Sequence, residues 1–491
     1  YFAGLLTQGW MLFPSPLRDQ LREKRTPGLI RRGADLLKAG TTIPANREVV
    51  AFWDLGNYYC AYPELLVSGG KGAEIRWDWA ECLTGPDGRK GDRAAFEGLD
   101  MHRPFGDVFR CDGRTEARFT TPWWRCGKWC RLTIKTADEP LTIKGLAIVE
   151  TRYPVEMEAS FECDDPLVMK MQPICARALQ MCMHEMFFDC PYYEQQMYPG
   201  DSRVQYLVSG LFDTEERMVR NAITLFDSDR RENGLIPMNC PTRGTQDAIG
   251  FSECAAMMIG DYAWQHTNIA WLKARLPGLN HTLMGFATYE NAEGLLGKTP
   301  GWNFVDWVPE WQMKGEEGGV PPDGNSDSPN AEINLQYLHA IRSAVIAEEA
   351  VGEKGLAEYW RTKGDLLAAA VRRAFWCPDR ALFASNVTKT RFSEHSQCLA
   401  LLADVVTGEE SERCFAALTT ADDLSRGTIY YKHYLYSTYF KFGRADLFFG
   451  NLGFWKDCLD WNLSTVLETP WTTSRSDCHG WGSHPLWHLH T

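Results

Sequence analysis

The sequence has no run of about 18 consecutive apolar residues, which is the length that a transmembrane helix needs. It also has no dominant cluster of lysine and arginine, and its formal net charge is −13. Nucleic acids and anionic membranes bind proteins through clustered positive charge, so we exclude both as partners. A neutral ligand would be indifferent to this charge.

Paired cysteine motifs are also missing. The sixteen cysteines are scattered, and the nearest pair, Cys126 and Cys130, fits neither a Cys-x-x-Cys zinc motif nor a disulfide framework. The localisation is left open, with the cytoplasm favoured because the cysteines are unpaired. The chain starts at Tyr1 without methionine and ends abruptly, so we interpret it as a fragment with a truncated N-terminus.

The 491 residues exceed one ordinary hydrophobic core, so we expect more than one domain. Residues 1–47 are mixed, and we assign them to an accessory region. Residues 48–157 contain short β-branched and aromatic runs separated by turn residues, which predicts a β-sandwich of the jelly-roll kind. In this domain Trp123, Trp124 and Trp129 could offer a sugar-stacking surface, but core packing is the commoner role of such residues, and we assign them no site.

Helical periodicity dominates residues 158–491, beginning with an N-cap signal at Asp164–Asp165 and Pro166. We predict no strands in this region and no repeat of fixed length, which favours a closed toroid of helix pairs over a solenoid. After the first helix, the predicted helices are 201–212, 214–226, 250–265, 269–288, 331–351, 355–376, 394–405, 410–419, 428–442, 445–461 and about 475 to the end.

The stretch from Phe187 to Gln205 concentrates acids and tyrosines beside an apolar helix. It contains Asp189, Glu194 and Asp201, with Tyr198 and a Pro-Gly turn between the last two acids. Carboxylates placed this closely are candidates for chemistry, because burying them without a partner is costly. The competing interpretation is that Asp201 caps the next helix and Glu194 lies in solvent.

A second candidate is the long connection 291–330, in which Trp302, Asp306 and Trp307 lie close together. Indole rings that stack on a sugar, with a carboxylate that fixes its hydroxyls, form a common kind of sugar pocket. The alternative is a lid whose tryptophans only pack.

The third candidate runs from Leu467 to His484 and includes Glu468 and His479. Glycosidic bonds are broken by two carboxylates that flank the anomeric carbon, and a toroid would bring Glu194 and Glu468 to the same opening. His484, His488 and His490 suggest a metal, but the glutamate of a zincin motif is missing, so we assign no metal.

Together these segments resemble the α-L-rhamnosidases of glycoside hydrolase family 78. Asp189-Cys190-Pro191, Glu194 and Gly200-Asp201 are similar to one family signature. The segment 302–307 is similar to the aromatic loop of the family, and Glu468 followed by 474–481 is similar to its C-terminal acid-and-histidine segment.

The resemblance implies an (α/α)6 barrel that follows an accessory jelly roll, and a bacterial polysaccharide-degrading hydrolase that inverts the anomeric carbon. Glu194 would be the general acid and Glu468 the general base. The implied partner is a carbohydrate, no cofactor is needed, and for assembly we consider a homodimer. The implied substrate-binding residues are Asp189, Tyr198, Asp201, Trp302, Asp306, Trp307 and His479.

The resemblance has three departures. Many members carry arginine where this chain has Tyr193, so we expect the acid to lack a neighbouring cation. Many carry tryptophan where this chain has Tyr198, and a C-terminal β-sandwich is missing. The alternatives are the same barrel acting on an L-mannoside or L-lyxoside, a non-catalytic glycan-binding protein, and an interaction scaffold.

Overall fold

The computed structural model describes residues 20–25, 29–33, 38–212, 216–242, 246–311 and 318–491. A strand-rich N-terminal region is followed by a helical region, as the sequence predicts. Part of the predicted accessory segment 1–47 lies outside the described residues.

The strands of the N-terminal region are β1 (Glu23–Arg25), β2 (Leu29–Arg32), β3 (Thr42–Ile43), β4 (Glu48–Gly69), β5 (Glu74–Ala80), β6 (Leu83–Thr84), β7 (Asp100–Met101), β8 (Phe105–Arg110), β9 (Ala117–Phe119), β10 (Arg125–Lys135) and β11 (Leu141–Glu150). Nine of these described strands form one antiparallel sheet, and its main path has the order β1-β11-β4-β10-β5-β8. Strands β2 and β9 also pair with β4, and β3 pairs with β11, whereas β6 and β7 pair separately.

The long strand β4 contains a bulge, across which its pairing with β10 changes register. Gly56 has φ of +77°, a conformation that glycine adopts without strain. Opposite it, the register of β10 shifts between Gly127 and Trp129. Trp124 and Trp129 are buried, as the core interpretation predicts, whereas Trp123 is exposed.

The helices follow from residue 166 onwards. They are α1 (Pro166–Cys182), α2 (Pro199–Ser209), α3 (Arg217–Ser228), α4 (Ile249–Gln265), α5 (Ile269–Lys273), α6 (Leu276–Ala287), α7 (Ala331–Val351), α8 (Lys354–Phe375), α9 (Glu394–Leu402), α10 (Glu409–Thr420), α11 (Lys432–Lys441), α12 (Ala445–Phe449), α13 (Gly453–Asp460) and α14 (Pro485–His488). In the described part of the chain, no helix combines the length and the apolar composition that crossing a membrane requires.

Side-chain caps explain where several helices begin. Asp165 accepts a hydrogen bond from the Leu167 N–H at 2.8 Å, which confirms the predicted start of α1. Asn330 caps α7 through the Ile333 N–H at 3.1 Å, and Ser393 caps α9.

Three predictions about the helical region are wrong. A two-stranded sheet, β12 (Trp376–Cys377) with β13 (Leu382–Phe383), lies between α8 and α9, where we predicted no strands. The predicted helix 269–288 is divided into α5 and α6, and 445–461 into α12 and α13. The predicted last helix is mostly a loop with a 3-10 turn at Gly480–Ser483, because Gly480, Gly482 and Pro485 interrupt it.

By internal contacts the chain forms two units, which we call the sheet unit and the helical unit. The sheet unit comprises the described residues of 20–195 together with Gly453–Ser483, so it includes α1 and α13. The helical unit comprises the described residues of 196–452 together with His484–Thr491. The domain boundary proposed at residue 157 stays a prediction.

Candidate active site

In the sheet unit, the loop that follows α1 carries Asp189 and Glu194. The Phe188 N–H bonds to the carbonyl of Cys182 at 2.7 Å, which turns the chain directly after the helix. The Asp189 carboxylate is buried and accepts a hydrogen bond from the Cys190 thiol at 3.0 Å. The Asp189 carbonyl accepts from the Gly480 N–H at 2.9 Å, which joins this loop to the C-terminal loop of the unit.

The C-terminal loop, residues 461–483, is anchored by an acid that we had assigned no role. Asp477 is buried and binds Lys90 Nζ at 2.8 Å and Arg93 Nε at 2.9 Å. Lys90 also donates to the carbonyl of Arg475 at 2.8 Å, and Arg93 to the carbonyl of Thr472 at 2.8 Å. Although burial opposes its charge, the two cations lower the pKa of Asp477.

Glu81 is a second buried acid that contacts the C-terminal loop, at Asp477. Its Oε2 accepts from the Asp477 N–H at 3.1 Å, and its Oε1 accepts from the Tyr58 hydroxyl at 2.8 Å. Burial, followed by the charge of Asp477, raises the pKa of Glu81 to about 7. The loop therefore rests on a buried network in which one carboxyl is easily protonated.

One arginine joins the two predicted catalytic carboxylates. Arg475 Nη2 contacts Glu194 Oε1 and also Glu468 Oε1, the latter at 3.2 Å, while Arg475 Nε donates to Glu468 Oε2 at 3.3 Å. The Glu468 side chain is 7% exposed and that of Glu194 is 23% exposed. Because both bind one nitrogen, their nearest oxygens lie within the length of two hydrogen bonds, about 6 Å.

The expected absence of a cation beside Glu194 is therefore wrong. The arginine that we expected the chain to lack near Tyr193 is supplied by the C-terminal loop, since the Arg475 guanidinium lies 5.6 Å from the centroid of the Tyr193 ring. Although burial opposes its charge, the neighbouring Glu468 and Glu194 raise the pKa of Arg475.

His479 lies close to Asp189 and packs against the tryptophan that holds Glu468. Its ring centroid is 4.2 Å from that of Trp481, whose Nε1 donates to the carbonyl of Glu468 at 3.1 Å. One ligand atom each of Asp189, Cys190 and His479 lies within 4.8 Å of the others. Burial and the adjacent carboxylates raise the pKa of the Cys190 thiol.

In the helical unit, His484 and His488 form a buried group with His433. His488 Nε2 lies 3.2 Å from His433 Nδ1, and burial lowers the pKa of all three imidazoles. The nearby charges that act on this group are those of Arg203 and Lys432, which oppose a bound cation. The geometry favours a structural group over a metal site.

Tyr198 and Asp201 begin helix α2 in the helical unit. Tyr198 occupies the N-cap position, and Asp201 lies buried in the first turn, where the helix dipole favours a negative charge. Asp201 lies inside the helix and is not its N-cap residue, so the alternative that Asp201 caps the helix is wrong.

An aromatic cluster in the helical unit, which we define as Tyr198, Phe251, Trp302, Phe304 and Trp307, contains three predicted substrate-binding residues. Trp302 and Trp307 are half-buried, with ring centroids 5.8 Å apart, and both pack on the buried Phe304. The Trp302 indole N–H donates to the carbonyl of Gly318 at 2.9 Å, which fixes its orientation. Both indoles are thus partly accessible.

Asp306 lies inside the helical unit. Its side chain is 0% exposed, and it accepts from His395 Nε2 at 2.8 Å, from the Thr428 N–H at 2.6 Å, from the Thr428 hydroxyl and from the Trp307 N–H at 2.9 Å. A sugar hydroxyl could bind here only in exchange for one of these bonds. The structure therefore favours a structural role for Asp306 over the predicted sugar contact.

The structure thus brings Glu194, Glu468, Asp189 and His479 together within the sheet unit, and Tyr198, Trp302 and Trp307 within the helical unit. Sequence reasoning missed the roles of Arg475, Asp477, Lys90 and Arg93. The spacing of Glu468 and Arg475 in one short loop could have indicated an ion pair, whereas no local pattern connects Lys90 to residues 385 positions away.

Paired carboxylates of this kind are the arrangement found in carbohydrate-cleaving proteins. The chain belongs to the family of bacterial α-L-rhamnosidase six-hairpin glycosidase domains, because the sequence model of that domain matches residues 156–452. No curated protein matches the sequence.

Solved structures of rhamnosidases share the fold. The family 78 rhamnosidase of Bacillus sp. GL1 aligns with a TM-score of 0.79 at 20% identity, over 92% of this chain and 47% of that one. The Klebsiella oxytoca rhamnosidase with bound rhamnose aligns with a TM-score of 0.76 at 18% identity, over 99% of this chain and 98% of that one. The Streptomyces avermitilis α-L-rhamnosidase in complex with L-rhamnose aligns with a TM-score of 0.70 at 16% identity, over 92% of this chain and 43% of that one. The chain therefore spans about half the length of the Bacillus and Streptomyces proteins.

Proposed function

We propose that the protein is an inverting glycoside hydrolase that removes terminal α-L-rhamnosyl residues from glycosides or polysaccharides. The observation that carries this proposal is the contact of Glu194 and Glu468 with one guanidinium, because two carboxylates close together are what glycosidic cleavage requires. Membership of the rhamnosidase family supports the choice of sugar.

In the proposed reaction, Glu194 is the general acid and Glu468 the general base. Glu194 gives its proton to the glycosidic oxygen as the bond to the anomeric carbon breaks. Glu468 removes a proton from a water molecule that attacks the opposite face of that carbon. Inversion needs a separation of about 6.5–9.5 Å between the two carboxyls, so that the water fits beside the sugar. The nearest carboxylate oxygens of this pair lie within about 6 Å of each other, so inversion requires the two carboxyls to move apart when the sugar binds.

The proposed sugar contacts are the residues that the family resemblance implies. Asp189, Asp201 and His479 would bind rhamnose hydroxyls, and Tyr198, Trp302 and Trp307 would pack on its apolar face. Asp306 would bind a sugar hydroxyl by giving up its hydrogen bond to His395 or to Thr428. The chemistry needs no cofactor, since proton transfer by the two carboxyls suffices.

We further propose that the helical region is an (α/α)6 barrel formed by residues 158–491 and that residues 48–157 are a jelly-roll accessory domain. The shared fold of the rhamnosidase structures supports this architecture.

The first test measures hydrolysis of a panel of aryl glycosides that includes α-L-rhamnoside, α-L-mannoside and α-L-lyxoside. We expect the rhamnoside to be cleaved fastest. Glu468→Gln should reduce its hydrolysis by about 10²–10⁴-fold, as expected for the loss of a catalytic base.

Substrates with different leaving groups distinguish the roles of the two carboxyls. A p-nitrophenolate departs with little help from an acid, whereas an alkoxide needs protonation. We therefore expect Glu194→Gln to affect an alkyl rhamnoside far more than p-nitrophenyl rhamnoside, and Glu468→Gln to affect both equally. Preference for another sugar would select an alternative substrate, and sugar binding without turnover would indicate a glycan-binding protein instead.

A further inference from the structure

Trp123 is an exposed tryptophan of the sheet unit, in the loop between β9 and β10. Its indole N–H donates to Oε1 of Gln195 at 3.0 Å, and Gln195 follows the proposed acid, Glu194, directly in the chain. Consecutive Cα atoms lie about 3.8 Å apart, so this bond ties the ring to the backbone beside Glu194. The segment that carries the proposed acid therefore has an exposed aromatic side chain attached to it.

Residues 190–195, which we call the acid loop, form a turn that Gln195 closes. The Gln195 N–H donates to the carbonyl of Cys190 at 3.1 Å, and its Nε2 donates to the carbonyl of Pro191 at 2.9 Å. Gln195 also has φ of +54°, in a region that residues other than glycine rarely occupy. Such a conformation persists where its surroundings hold it, and here they hold the side chain that binds Trp123.

The Trp123 ring is supported from the inside of the sheet unit. One face packs on Trp124, with ring centroids 5.6 Å apart and planes inclined by 29°. Trp124 is buried and stacks on His184, with centroids 4.3 Å apart. Arg125 Nη1 donates to the carbonyls of Trp123 and Trp124, each at 3.1 Å. The Arg125 guanidinium is itself bound by both carboxylate oxygens of Asp107, at 2.7 and 2.8 Å.

The surface that Trp123 offers to solvent is apolar. Its inner face is covered and its only polar atom is bonded to Gln195, yet the residue is 41% exposed. The exposed part therefore belongs to the outer face and edge of the ring. Sugar rings, through their C–H groups, and aromatic rings both pack on such a surface.

The chemistry proposed for Glu194 gives this surface a ligand. A general acid must come within hydrogen-bond distance of the oxygen that it protonates, so the leaving group of a bound glycoside begins at the acid. A leaving group with one or more rings extends from there over the neighbouring surface. In the described part of the sheet unit, Trp123 is the exposed tryptophan that is bonded to the acid loop.

We propose that Trp123 is a binding residue for the leaving group, in which a flat ring of a sugar or of an aromatic aglycone packs on the outer face of the indole. This inference rests on the function proposed above, with Glu194 as the acid, and it adds a preference among substrates. Trp123 transfers no proton, so it contributes to the binding of large leaving groups. A methyl group is too small to make this contact.

The test measures kcat and KM of wild type, Trp123→Ala and Trp123→Phe on two matched pairs of α-L-rhamnosides. Methyl rhamnoside is paired with a rhamnosyl-glucose disaccharide, and phenyl rhamnoside with 2-naphthyl rhamnoside, so that leaving groups of similar chemistry differ in size. We expect Trp123→Ala to lower kcat/KM for the larger member of at least one pair by about 2–10-fold more than for the smaller, mainly through KM, because a ring contact is lost. The pair that responds identifies the leaving group as a sugar or as an aromatic ring.

Trp123→Phe separates this role from a structural one, because phenylalanine keeps a flat ring but has no N–H for Gln195. We expect Trp123→Phe to keep most of the preference for the larger member. If Trp123 only positions the acid loop through its N–H, both variants should instead lose kcat equally on all four substrates. Trp264→Ala is the matched control for loss of an exposed indole, since Trp264 lies near the end of α4 in the helical unit and outside the aromatic cluster.

A size preference in Trp123→Ala that equals that of wild type in both pairs would overturn the leaving-group site and leave the proposed hydrolase intact. The same holds for equal losses of kcat in the two Trp123 variants. No hydrolysis of any of the four rhamnosides by folded wild type would instead overturn the proposed function, and this inference with it.

Discussion

Arg475 and Asp477 lie two positions apart in one loop, and each is surrounded by groups of the opposite charge. Arg475 faces Glu194 and Glu468, whereas Asp477 is enclosed by Lys90 and Arg93. Alternating residues of the loop thus point one charge toward the candidate carboxylates and the other into the protein. Asp477, Lys90 and Arg93 are almost fully buried. Removing one of these charges would leave another uncompensated inside the protein, which costs several kcal/mol.

Glu81 makes the anchor of this loop sensitive to pH. Its pKa is raised from the usual 4.5 to about 7, so the folded protein binds this proton more tightly than the unfolded chain does. The contribution of Glu81 to stability is therefore fully present below about pH 4.5 and declines as pH rises through 7.

We expect Glu81→Gln to stabilise the protein increasingly as pH rises from about 5 to 8. Glutamine keeps an oxygen for the Asp477 N–H and an amide group for the Tyr58 hydroxyl, but it has no charge to bury. The difference should approach on the order of 3 kcal/mol at the upper end. Thermal unfolding of both proteins at several pH values measures it, and a difference that is constant with pH would contradict the assignment.

Glu394 provides a control of opposite sign. Although burial opposes its charge, Lys432 and the Gly427 N–H lower its pKa. Glu394→Gln should therefore destabilise the protein at neutral pH, and this loss should shrink as pH falls below about 4.

At the scale of elements, the start of helix α2 depends on a glycine for steric reasons. A Cβ at Gly200 would lie 2.5 Å from the Phe251 ring and 2.9 Å from the Tyr430 hydroxyl. The absence of a side chain lets α2 approach the aromatic cluster closely.

We expect Gly200→Ala to destabilise the protein by about 1–3 kcal/mol, because neighbouring rings must move to make room. Gly355 is the matched control, since it is also the second residue of its helix, α8, and a Cβ there would meet nothing within 4 Å. Gly355→Ala should be neutral or stabilise by up to about 1 kcal/mol. Equal effects of the two substitutions on thermal unfolding would contradict this packing.

Elements with strong local signals could be predicted from the sequence. Helix α7 spans the predicted 331–351 because Asn330 caps its start and Gly352, with φ of +88°, ends it. Strand β8 lacks such a signal, because none of its six residues is buried and no apolar alternation marks them. The end of the chain was wrongly predicted as a helix because its apolar spacing outweighed Gly480, Gly482 and Pro485.

At the scale of the whole molecule, the candidate site is assembled from segments that are far apart in sequence. The acids Glu194 and Glu468 could be identified by their neighbours, but Lys90 and Arg93 bind residues about 380 positions away. Such pairs depend on the folded topology of the sheet unit, so local patterns carry no sign of them. Both cations lie in the predicted accessory domain, residues 48–157, and they anchor the loop that carries Glu468.

The measurement that tests the central claim most directly is the anomeric form of the first sugar released. Proton NMR would follow the hydrolysis of an alkyl α-L-rhamnoside at early times, before the product mutarotates. If Glu194 and Glu468 act as acid and base on opposite faces of the sugar, β-L-rhamnose appears first and α-L-rhamnose grows in later. If α-L-rhamnose is the first product, one carboxylate acts as a nucleophile, and the roles proposed here are wrong.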